Sequence, residues 1–122
     1  MTRDEVLSMK PGRELDALVA EKVMEWKTNW LKTDWWEEIN PNTHRHKGLV
    51  KDFKPSADIA AAWEVAEQLQ KQGYVVCIEL LPYEETSVGV YEADPANQIA
   101  YAKAQTPAEA ICKAALLAVM EE

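Results

Sequence analysis

Between residues 74 and 103 the chain passes through three strand-like stretches whose connections are too short to hold a crossover helix. Parallel pairing needs a crossover of about a dozen residues or more, so the three stretches are expected to pair antiparallel as a meander. The first, 74–81, is rich in Val and Ile. It sets Val76, Ile78 and Leu80 on one face and Val75, Cys77 and Glu79 on the other. It reads as a central strand. Pro82, Glu84 and Glu85 mark a turn, after which residues 86–92 alternate Val88 and Val90 against Ser87, Gly89 and Tyr91. Asp94-Pro95-Ala96-Asn97 supplies turn chemistry, and 99–103 is a shorter third strand.

Helical patterns flank this meander. Thr106-Pro107-Ala108-Glu109 joins an N-cap threonine, proline at the first helical position and glutamate at the capping-box position. A helix at about 107–120 follows, with Ile111, Ala115, Leu116 and Val119 on its apolar face. The small Ala114, Ala115 and Ala118 let it lie close on the sheet. Before the strands, Ser56 is the expected start of a helix at about 56–72. Asp58 stands in its first turn, Ile59, Ala62, Trp63, Ala66 and Leu69 form its buried stripe, and Gly73 is placed to end it. Trp63 is expected in the core, since large aromatic side chains bury heavily.

An earlier helix at 13–26 shows the stripe Leu15, Leu18, Val19, Val23 and Trp26. Thr2 and Glu5, at capping-box spacing, allow a helical turn before Pro11-Gly12 interrupts it. Residues 27–55 carry no sustained period and hold Trp30, Trp35 and Trp36. They read as an irregular, tryptophan-rich connection, with short strands around 29–36 or 48–53 as the alternative. The fold expected is thus α+β: a three-stranded antiparallel meander packed with helices in a layered α/β/α sandwich. It is read as one domain over 1–122, with α-β-β-β-α from 56 to 120.

With 122 residues, 48% hydrophobic and 28% charged, the chain has the composition of a globular domain that can bury a core. Its net charge of −8 repels a polyphosphate backbone, so nucleic acid is not an expected partner. The acids are spread from Asp4 to Glu122 and read as a solvated surface rather than a mimic of DNA. Cys77 and Cys112 lie in apolar stretches without metal-site spacing and are expected to be buried free thiols. No apolar run approaches the roughly 18 residues of a membrane span. A cytoplasmic location without membrane attachment is expected.

Three segments carry a resemblance. They are the run opening Gly12-Arg13-Glu14-Leu15-Asp16-Ala17-Leu18-Val19, the run Asp58-Ile59-Ala60-Ala61-Ala62-Trp63-Glu64-Val65, and the run opening Pro107-Ala108-Glu109-Ala110-Ile111-Cys112. Together, and in this order, they resemble the phage ABA sandwich domain family, small proteins encoded by phages and prophages. The resemblance implies a layered fold and a phage protein in a bacterial host. It brings no catalytic residues. The family often starts its second helix with Tyr-Ser-Thr-Asp, where this chain has Lys54-Pro55-Ser56-Ala57-Asp58.

Catalytic signatures are sparse. There is no HExxH, no GxSxG and no Gly-rich phosphate loop, and neither cysteine lies near a histidine in sequence. No enzyme activity and no cofactor are expected. His44 and His46, two apart, would share a face of an extended segment and are weak candidates for a metal site with Asp34, Glu37 or Glu38. Arg13 is free to pair with a carboxylate or to contact a ligand. The α-β-β-β-α order is also that of double-stranded-RNA-binding domains, an alternative disfavoured by the acidic charge and by Glu109 near the last helix's start. The leading expectation is a non-enzymatic phage accessory protein that binds a host or phage protein or associates with itself. Its partner surface would be Trp30, Trp35, Trp36, His44, Arg45 and His46, because tryptophan is enriched in interface hot spots. A small-molecule ligand is the other partner class this leaves open.

Overall fold

A computed structural model describes residues 2–29, 32–40, 43–93 and 96–120; at 29, 32–34, 39, 40 and 43–46 it describes the backbone alone. The described elements run α1 (Arg3–Ser8), α2 (Arg13–Lys22), β1 (Trp26–Asn29), β2 (Lys32–Asn40) and β3 (Thr43–Leu49). A 3₁₀ turn (Val50–Asp52) leads to α3 (Ile59–Lys71), β4 (Tyr74–Glu79), β5 (Thr86–Ala93), β6 (Ala96–Ala104) and α4 (Pro107–Val119). The α+β class and the antiparallel meander are as the sequence implies, in the order β4-β5-β6. Both outer helices are capped as their sequences dictate. Thr2 Oγ1 accepts from the Glu5 N–H and Thr106 Oγ1 from the Glu109 N–H, each at 3.2 Å.

The stretch 27–55 differs from the irregular connection expected. It forms a second antiparallel sheet, β1-β2-β3, in which Trp36 pairs with Thr28 on one side and Gly48 on the other. A bulge between Trp36 and Glu37 shifts the register. There the pairing skips Lys47 of β3, and toward β1 it skips residues 33–35 of β2; such irregularities break the alternation by which a strand is read from sequence. The same sheet shortens the first helix. α2 ends at Lys22, Glu25 turns the chain at φ 59°, and Trp26 opens β1 while remaining buried.

Within the meander, β4 is an edge strand and not the central one expected. A Val/Ile-rich run shows that one face is covered, but the middle of a meander belongs to its second strand. β5 accordingly buries residues 86–90 without a break, whereas β4 alternates half-buried and exposed. The alternation leaves Cys77 exposed, against its expected burial. On the same face of β5 the Tyr91 ring lies over Gly89, where a Cβ would stand 3.0 Å from the ring's Cε1.

The main core lies between this sheet and the helices. Val88, Val90, Ala100 and Ala102 meet Ala62, Val65, Ala66 and Leu69 of α3, Ile111, Ala114, Ala115 and Leu116 of α4, and Leu15 and Val19 of α2. The stripe on α3 is rotated from the one expected. Ala61, Ala62, Val65, Ala66 and Leu69 are buried, while Ile59 and Trp63 are 53% and 56% exposed. Ala62, Ala66 and Leu69 belong to both stripes, so the choice falls on the flanking positions. The side bearing alanine and valine admits a neighbouring helix more closely than one bearing tryptophan. Asp58, not Ser56, caps α3, accepting from the Ala60 N–H at 3.1 Å. Gly73 does end the helix, at φ 95°.

A candidate binding groove

Ser56 has a different task from the cap expected of it. The turn at 54–58 is closed by the Asp58 N–H donating to Lys54 O at 2.8 Å, and it buries Pro55 and Ser56. From there the Ser56 N–H donates to Asp16 Oδ1 at 2.8 Å, while the Gly12 N–H donates to Ser56 Oγ at 3.0 Å. Asp16, only 7% exposed, is thereby committed. The two reciprocal bonds clip the start of α2 to the entrance of α3. A buried carboxylate with such a partner fixes geometry more than it adds stability.

The clip forms one wall of an open groove of about 1060 Å³. Its floor is apolar: Ala17 from α2, Trp36 from β2, and Leu49, Val50 and Phe53 from the segment after β3. Trp36 is 2% exposed and packs with Ala20 and Trp26 in a small second core. Phe53 is held by Trp26, with ring centroids 4.7 Å apart and planes at 57°. The floor is therefore built from fixed rings. Around the mouth stand Arg13, Glu14, Lys51 and Lys54, all exposed. Among the described residues the side chains of Arg13, Lys51 and Lys54 have no hydrogen bond or ion pair; the described ion pairs are Lys47–Glu38 and Lys113–Glu109.

The residues singled out from sequence fall unevenly about this groove. Trp36 is its floor. Trp35, half-buried, precedes Trp36 directly and so faces the other side of the sheet. Trp30 lies outside the described residues. His44, Arg45 and His46 follow one another along β3, opposite Ile39, Glu38 and Glu37, and their side chains are outside the description. Arg13 sits at the mouth without the carboxylate partner it was offered. Lys51, Phe53, Lys54 and the buried Ser56 were not singled out as site residues from sequence. The cation–aromatic–cation spacing at 51, 53 and 54 is the signal that marks three of them.

Cys112 lies in the core beside α2. Burial pushes its thiol far above the ordinary value of 9.0, and the charges of Asp16 and Glu109 push the same way. It is a packed thiol, not a nucleophile. Lys113 is 5% exposed, its Nζ bonded to Glu109 Oε2 at 2.7 Å and to Leu7 O at 3.0 Å. The described helices include none long and apolar enough to cross a membrane.

Neither curated proteins nor solved structures offer a match to the chain. The profile of the phage ABA sandwich domain matches residues 17–116, from within α2 through both sheets and into α4. With all three of its helical signatures inside or overlapping that span, the chain belongs to the phage ABA sandwich domain family.

Proposed function

We propose that this phage-family protein is a non-enzymatic binding module whose site is the groove between the start of α2 and residues 49–57. The observation that carries the reading is the floor. Trp36, Val50 and Phe53 are locked by packing before any ligand arrives, and preformed apolar concavities with a few polar groups at the mouth are where small ligands bind. Ser56 Oγ, the hydroxyl on the wall, is buried and already accepts from Gly12, a structural post rather than a nucleophile's. The double-stranded-RNA reading is weakened further by Lys113, whose ammonium is spent on Glu109 and Leu7 within the fold.

The test is titration of ¹⁵N-labelled protein with two flat-ringed probes, neutral 2-naphthol and anionic 2-naphthyl phosphate. Saturable shifts of the Ala17, Phe53 and Ala57 amides by either probe support the groove. If both leave those amides still, the reading is lost. A second reading, capture of a host or phage protein or of a second copy, is favoured by β3. It is an edge strand of the first sheet and carries His44, Arg45 and His46, so an extended segment can add to it. Light scattering across protein concentration, and retention of a partner that a proline at Arg45 abolishes, separate this reading from the first.

A further inference from the structure

Resting on the groove reading, we propose that its ligand is a small phosphomonoester on a flat apolar body, with the phosphate at the mouth among Arg13, Lys51 and Lys54 and the body on the floor. Charge is unevenly distributed over the molecule. The protein carries −8 overall, yet three cations from two segments, Arg13 on α2 and Lys51 and Lys54 after β3, line one concavity, and none has an ion-pair partner among the described residues. Opposing them are Glu14, exposed on the same rim, and Asp16, buried and turned to the Ser56 N–H, so the lining keeps three cations against two carboxylates.

Unpaired cations gathered beside an apolar floor repel one another and gain by sharing an anion. Three of them, spaced around a mouth, suit a dianion better than a single negative charge. The positive end of the ten-residue α2 adds to the same field. The floor supplies what a bare anion would not use. Phe53, half-buried, presents ring surface to a planar body, with the buried Trp36 packed beneath the floor; such a body is desolvated as it enters.

Four probes separate the parts: 2-naphthyl phosphate, 2-naphthoate, 2-naphthol and inorganic phosphate, each titrated by calorimetry and by amide shifts. Naphthyl phosphate is expected to bind about tenfold more tightly than naphthol, a difference of roughly 1.4 kcal/mol. It should also exceed naphthoate and inorganic phosphate, and weaken between about 50 and 300 mM salt as screening grows. The double variant Lys51→Glu, Lys54→Glu, at two exposed positions, should abolish that preference while leaving the melting temperature unchanged. Equal affinity for naphthol and naphthyl phosphate, or a preference that survives the double variant, overturns the anion assignment and leaves the groove standing. Naphthoate matching the ester replaces phosphate with carboxylate and overturns the class. Inorganic phosphate matching it removes the floor from the proposal. Binding by none of the four ends both readings together.

Discussion

Ile59 and Trp63, four residues apart on the exposed side of α3, bury less than half of their surfaces. Trp63→Ala is therefore expected to cost less than about 1 kcal/mol, the range of surface substitutions. Leu69→Ala, at 1% exposure on the opposite side of the same helix, should cost about 3 kcal/mol. Urea denaturation of the two variants checks the rotation of α3 directly. The two cysteines offer a second contrast. A thiol reagent should label Cys77 alone in the native protein and both cysteines once it is unfolded. Cys112 also ties stability to pH. Folded, its thiol stays protonated; unfolded, it ionises from its ordinary value of 9.0 upward. Its contribution is intact below that pH and is lost as pH rises above it, by about 1.4 kcal/mol per pH unit. Cys112→Ala should flatten this slope, as read by melting curves between about pH 8 and 10.

At the scale of elements, α1 is held to α4 through Lys113. Replacing it with methionine leaves the Glu109 carboxylate half-buried without its cation and the Leu7 carbonyl without its donor. A loss of about 3 kcal/mol is expected, since half of a buried pair is left behind; calorimetric unfolding measures it. The sequence disclosed these elements where local rules and tertiary demands agree. Thr2, Thr106, Pro107 and Gly73 are signals of chain geometry, and each marks the boundary it indicates within a residue or so. Strands β4 to β6 were legible because their alternation is sustained. The first sheet was not, because its pairing slips at residues 33–35 of β2 and at Lys47 of β3 and so breaks the alternation. The face of α3 was ambiguous for another reason: alanines fit either stripe, and only the approach of α4 decides. The groove was the least legible of all, because Gly12, Asp16, Trp36 and Ser56 meet only after both sheets are placed.

Across the whole molecule, apolar residues form two clusters of unequal weight. One joins α1, α2, α3 and α4 to the β4–β6 sheet; the other is Ala20, Trp26 and Trp36 with a few half-buried neighbours. Regions with fewer buried contacts open at lower free energy. Native-state hydrogen exchange should therefore find the β1–β3 amides opening below the global unfolding free energy, and those of β5 and α4 at it. Equal protection throughout would show a single cooperative unit. The groove takes its wall from the clip anchored in the larger cluster and its floor from the smaller one. An occupant seated there acts as a keystone: it gains binding energy only while both clusters are closed, so it lends the first sheet the cooperativity of the rest by mass action.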